Sequence, residues 1–137
     1  MVLLYIMDHQ AEALIATCID FRLQEAINNW IAQNFSPKTF DRVALAGGVK
    51  NLGIILNQID IACRLHHIKK VVLINHEDCG AYGQEGTEEK HTEDLKIAKQ
   101  KILSQFPELQ VETYYLKLDG TFKMVVAQHQ SAQPLVE

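Results

Sequence analysis

Short apolar runs of strand length alternate with stretches of helical period along almost the whole of this 137-residue chain. Ala13–Thr17 reads as a short buried strand. Leu23, Ile27, Trp30, Ile31 and Phe35 then recur at helical spacing until Ser36 and Pro37 stop the helix. A second strand is expected over 40–46, ending at Gly47 and Gly48. Leu52, Ile55, Leu56, Ile59, Ala62 and Cys63 mark a second amphipathic helix, and the continuous apolar run 71–75 a third strand. The polar stretch 83–91 reads as a loop. Thr92 is the expected cap of a third helix, with Glu93 and Asp94 in the first turn, where the helix dipole favours negative charge. Leu95, Ala98, Ile102 and Phe106 face inward on it, and Pro107 ends it. A fourth strand is expected over 111–118, with Asp119-Gly120 as a tight turn and 122–126 pairing back.

This alternation specifies an α/β fold. The expected architecture is three-layered: a mainly parallel central sheet of about four strands, a short antiparallel edge strand, and helices on both faces. The length suits one domain, residues 1–127, followed by a polar, flexible tail at 128–137. A chain of this size, 47% hydrophobic, can bury a core without disulfides. The net charge of -4 argues against a general nucleic-acid binder. No apolar run approaches the roughly 18 residues of a membrane span. Asp8 interrupts the apolar N-terminal run and no basic segment precedes it, so no secretory signal is expected. Three cysteines, an odd number, suit the reducing cytoplasm, where they serve as ligands, nucleophiles or core residues.

In a parallel sheet, ligands sit beyond the carboxyl ends of the strands. The polar sequence falls there: Cys18 to Arg22 after the first strand, Gly47 and Gly48 after the second, His76 to Gly80 after the third. The topology therefore gathers Cys18, Asp20, Arg22, His76 and Cys79 onto one edge. His76 and Cys79 are spaced to reach one metal from a single turn, and Cys18 would add a third ligand. Two thiolates and an imidazole suit zinc, and three protein ligands leave a position open for water. Asp20 and Arg22 are close enough to pair, which keeps the carboxylate ionised. Asp20 could then orient water at the metal or swing onto the metal itself. A lone cysteine after a strand is more often a small buried hydrophobe, and His-x-x-Cys alone is a weak signal.

Cys18-Ile-Asp-Phe-Arg22 followed by His76-Glu-Asp-Cys-Gly80 resembles the β-class carbonic anhydrases, and the similarity extends over most of the chain. The resemblance implies zinc held by Cys18, His76 and Cys79, with Asp20 and Arg22 as a catalytic dyad. It implies reversible hydration of carbon dioxide to bicarbonate by zinc hydroxide, and a homodimer or higher homo-oligomer with the site near the interface. Four features depart from the family pattern. Phe21 replaces a small residue and could crowd or dry the pocket. The segment reads Ala44-Leu-Ala-Gly-Gly48 where Arg-Asn-Ala-Gly-Asn is usual, and Asn75 stands where glycine is common. Only 17 residues precede Cys18, so the family's N-terminal arm is expected to be largely absent. The departures spare the ligands and dyad and alter their surroundings. Phe21, Leu45, Gly47, Gly48 and Gly80 are the expected pocket residues.

Other candidates have plainer expectations. Cys63 belongs to the core stripe of the second helix, and His66 and His67 to its C-terminal end. His9, His91 and His129 are expected in solvent, and Glu85, Glu88 and Glu89 on a solvated loop. Tyr82 either lines the pocket or packs. The competing functions are a zinc enzyme acting on carbonyl sulfide or carbon disulfide, and a non-catalytic zinc-binding dimer. A thiol phosphatase is disfavoured, because three residues between Cys18 and Arg22 are too few for a phosphate loop and Cys79 gains no role.

Overall fold

The computed structural model of the chain describes residues 9–126. The expected tail at 128–137, His129 and the N-terminal apolar run lie outside the described residues. In chain order the elements are β1 (Ala13–Thr17), α1 (Gln24–Asn34), β2 (Phe40–Ala44), α2 (Leu52–His66), β3 (Lys70–His76), α3 (Glu88–Gln105), β4 (Gln110–Leu116) and β5 (Phe122–Met124). They form one sheet of order β2-β1-β3-β4-β5. The first four strands run parallel, and β5 folds back antiparallel on β4. This is the α/β architecture the alternation specifies.

Strand residues alternate between two apolar layers, as the pleat requires. Leu14, Ala16, Val71 and Leu73 pack with Ile55 and Ile59 of α2 and with Leu95, Ala98 and Ile102 of α3. Ala13, Ile15, Val72 and Ile74 point the other way, onto Leu23, Ile27 and Ile31 around α1. Both faces of the inner strands are thus covered, which is why they read as continuous apolar runs. Ile59 and Ile102 are fully buried, and truncating either to alanine would cost about 2–5 kcal/mol.

Several boundaries differ from expectation, among them the ends of β4 at Leu116 and of β5 at Met124. Thr87 rather than Thr92 caps α3, its hydroxyl accepting from the Lys90 N–H at 3.1 Å. The first turn of α3 is polar, so its inward residue, His91, gave no apolar signal. β2 stops at Ala44; the Leu45 N–H still reaches the Thr17 carbonyl at 2.9 Å, and Gly47 then turns the chain at φ +91°. The first helix opens as a 3-10 turn, Phe21–Leu23, capped by the Asp20 carboxylate.

The strand order places a topological switch between β1 and β3. From β1 the chain moves to β2 on one side, then returns through α2 to β3 on the other. The crevice beyond such a switch is where open α/β sheets bind ligands. No helix among the described residues is long and apolar enough to cross a membrane.

Candidate metal centre

Cys18 follows β1, His76 ends β3, and Cys79 sits in the turn that follows. Their donor atoms all lie within 4.8 Å of one another, and all three residues are buried. The two sulfurs are 4.0 Å apart. Two thiolates bound at zinc's usual distance in a tetrahedral site would sit about 3.8 Å apart. His76 Nδ1 donates to the Glu77 carbonyl at 2.7 Å, which leaves the Nε2 lone pair for a metal. That Nε2 is buried without a hydrogen-bond partner. The cluster is therefore compatible with a metal site in donor type, spacing and ring orientation.

The surroundings hold these donors in place. Burial pushes the Cys18 thiol up, but the neighbouring His76 imidazole and the Gly47 and Asp20 backbones outweigh it and bring the thiol down to about 6. The Gly47 N–H lies 3.3 Å from the Cys18 sulfur. Burial pushes the Cys79 thiol up. Burial opposes charge on His76 as well, but the Cys18 sulfur and the Glu77 carbonyl raise it on balance. On the far side, the Glu77 carboxylate accepts from the Leu118 N–H at 2.8 Å and ties the end of β3 to the loop after β4.

Asp20 and Arg22 form a close pair. Arg22 Nη2 lies 2.7 Å from Asp20 Oδ2, Nε lies 3.1 Å from Oδ1, and the Arg22 backbone N–H donates to Oδ1 at 2.9 Å. These bonds, those of the Arg22 side chain first, hold the Asp20 carboxyl down at about 2. Asp20 Oδ2 stands 3.8 Å from His76 Nε2, at the edge of the thiol–imidazole cluster. Arg22 also reaches the other ligand segment, donating to the Asp78 carboxylate at 3.1 Å and to the Asp78 carbonyl at 2.8 Å. Asp78 adopts a left-handed backbone, φ +59°, which aspartate tolerates better than most residues. Arg22 thus bridges the segments that carry Cys18 and Cys79.

The expected pocket residues divide. Gly47 and Gly48 are buried in the turn beside Cys18, and Gly80 is exposed next to Cys79. Leu45 packs on the apolar layer of α2 and α3. Phe21, expected as a possible plug, is 85% exposed, and Ile19 on the other side of Asp20 is 57% exposed. Tyr82 is buried in one apolar cluster with the two cysteines. Cys63 is half-buried against the core, His9 and His67 are exposed, and His66 lies 2.7 Å from the Asp41 carboxylate.

His91 overturns its expectation. It is fully buried, not solvated, between the rings of Tyr82 and Tyr115 at 3.9 and 5.5 Å. Its partner is Asn75, which carried no sequence signal beyond its unusual position before the histidine. The Asn75 amide nitrogen lies 2.9 Å from His91 Nδ1. An amide nitrogen only donates, so Nδ1 accepts and the neutral ring carries its proton on Nε2.

The α/β sheet thus bears two thiols and an imidazole at its switch point, beside an Asp–Arg pair. The family model described as "Putative carbonic anhydrase" matches residues 8–126, and the chain belongs to that family as a divergent member. A protein of Rickettsia bellii is 31% identical, covering 88% of this chain and 85% of its own length. One of Rickettsia conorii is 33% identical, covering 85% and 73%. Both are described only as uncharacterized proteins. The fold is shared with the carbonic anhydrase of Glaciozyma antarctica, at TM-score 0.67, 16% identity and coverage of 86% of this chain and 84% of that one. It is shared with β-carbonic anhydrase isoform I of Trichomonas vaginalis at TM-score 0.64, 15% identity and the same coverage. Two Sordaria macrospora β-carbonic anhydrases described as tetrameric are represented at TM-score 0.53 and 17% identity, covering 91% and 86%.

Proposed function

We propose that this chain is a zinc enzyme that reversibly hydrates carbon dioxide to bicarbonate. The observation that carries the proposal is the convergence of Cys18, His76 and Cys79 beside an ionised Asp20. Zinc, when bound there, supplies a Lewis acid that brings the pKa of water towards about 7.

The roles of the chain's own groups follow from their geometry. Cys18, His76 and Cys79 hold the metal and leave a fourth position for water or substrate. The Asp20 carboxylate, kept ionised by Arg22, is an acceptor at neutral pH and cannot donate. Its Oδ2 faces the ligands, where it holds the proton of a water and fixes that water's orientation. Arg22 keeps Asp20 in register and is itself held by Asp78. The buried walls around Cys18 and Cys79 limit the water that competes with substrate.

The chain works as a homodimer or higher homo-oligomer in the cytoplasm. Exposed Ile19 and Phe21 flank Asp20 and offer apolar surface to a second copy beside the site. The three cysteines are all free, as a reducing compartment keeps them. Sedimentation of the purified protein checks the assembly.

Stopped-flow hydration of carbon dioxide, read with a pH indicator on zinc-loaded protein, tests the activity. A rate well above buffer is expected. No rate above buffer rejects carbon dioxide as the substrate; sulfide release from carbonyl sulfide in its place would reassign it.

A further inference from the structure

Asn75 and His76 are neighbours at the end of β3, so their side chains leave opposite faces of the sheet. His76 meets the cysteines. Asn75 is 1% exposed and enters the layer covered by α2 and α3. Its Oδ1 accepts from the Val49 backbone N–H at 3.2 Å. Its Nδ2 donates to His91 Nδ1 at 2.9 Å and to the Tyr82 hydroxyl at 3.2 Å. That hydroxyl donates onward to Asp94 Oδ2 at 2.8 Å.

These bonds join the segments of His76 and Cys79 to the turn that contacts Cys18. Asn75 is adjacent to His76 in sequence. Val49 lies in the turn whose Gly47 N–H contacts the Cys18 sulfur. Tyr82 closes the turn of Cys79, the Tyr82 and Gly83 N–H groups both donating to the Cys79 carbonyl at 3.1 Å. One side-chain amide therefore ties the turn that contacts Cys18 and the Cys79 turn to the strand of His76. The space is matched to it: a Cβ on Gly48 would stand 2.4 Å from Asn75 Oδ1.

We propose that Asn75 is a positioning residue of the metal centre, its buried amide setting the spacing of the two cysteines about His76, with Tyr82 as the relay to the Cys79 turn. The inference rests on the metal reading of the site. An apolar residue would fill the same volume with fewer partners to satisfy, so stability alone does not call for an amide there.

The test is cobalt(II) and zinc binding to the full chain, for wild type, Asn75→Ala, Tyr82→Phe and Ile102→Val. The readouts are the cobalt thiolate charge-transfer and d–d absorption bands, and zinc affinity against a chelator. Asn75→Ala and Tyr82→Phe are expected to shift the cobalt bands and weaken zinc by about 10-fold or more. Ile102→Val removes a methyl from the apolar layer near the C-terminal end of α3 and should leave both readouts at wild-type values. Unchanged bands and affinity in folded Asn75→Ala overturn the inference, as do equal shifts in Ile102→Val, which would mean general loosening. If Asn75→Ala does not fold, Tyr82→Phe decides in the same way, since it keeps the ring and loses only the hydroxyl. Wild-type protein that takes up neither metal overturns the metal reading and this inference with it.

Discussion

The two faces at the end of β3 are built on opposite electrostatic plans. On the His76 side, Asp20, Arg22 and Asp78 are charged and partly open, with Arg22 38% exposed. On the Asn75 side, Asn75 and His91 are neutral and sealed, and burial holds His91 down at about 4. The open side keeps groups whose charge can act on a substrate. The closed side keeps groups whose partners belong to the protein itself. The comparison teaches that a reactive site needs a quiet one behind it. Thiols and an imidazole hold a metal only if the turns beneath them stay in place, and the buried hydrogen bonds of Asn75 tie those turns together.

If this division is right, substitutions on the open side should change chemistry, and those on the closed side the positioning of the metal centre and stability. The largest expected effect is that of Cys79→Ser on zinc. A zinc-binding energy of about 10–16 kcal/mol spread over three or four ligands gives about 4 kcal/mol each, or roughly 10³-fold in affinity. Metal analysis after dialysis against a chelator should find the variant nearly empty. Full zinc there would remove Cys79 from the ligand set. Next is Asp20→Ala, which should retain zinc and lose about 100-fold in hydration rate, roughly 2.7 kcal/mol. Loss of zinc with the activity would instead place Asp20 among the ligands.

His91 sharpens the contrast from the closed side. Its folded value, about 4, lies below the ordinary 6.5, so the unfolded chain takes up a proton that the folded chain refuses. The stability that depends on neutral His91 is complete above 6.5 and is lost as pH falls towards about 4. With the slope approaching about 1.4 kcal/mol per pH unit, that is about 1.6 kcal/mol between pH 6.5 and 5. Asp94, Tyr82 and Tyr115 face the ring as well, and Asp94 pulls the other way. Urea unfolding at the two pH values should show this slope in wild type and its loss in His91→Phe. The same slope in both would assign it to other groups. The smallest effect is expected from Asp78→Asn. The Asp78 side chain is 70% exposed and its carbonyl still holds Arg22, so thermal unfolding should move by less than about 1 kcal/mol. A larger loss would make Asp78 a structural member of the dyad.

The open side was legible in the sequence because its residues cluster at short spacing. Cys18, Asp20 and Arg22 lie at alternate positions, His76 and Cys79 three apart, and the strand pattern alone brought the two groups to one edge. The sheet and both apolar layers were legible for the same reason, since period-2 and period-3.6 patterns are local. The closed side was not. Asn75 and His91 are 16 residues apart on different elements, and a lone histidine in a polar stretch looks like surface. The start of α3 was lost with it, because its capping residue, Thr87, precedes a turn with no apolar periodicity. Phe21, expected to crowd or dry the pocket, stands at the head of a 3-10 turn and is exposed in the single chain.

The most direct measurement is zinc K-edge X-ray absorption on the purified, zinc-loaded protein. The account predicts two sulfur neighbours at about 2.3 Å and one imidazole nitrogen at about 2.0–2.1 Å, with one further light atom. A coordination shell of nitrogen and oxygen alone, or a protein that retains no zinc, would contradict it.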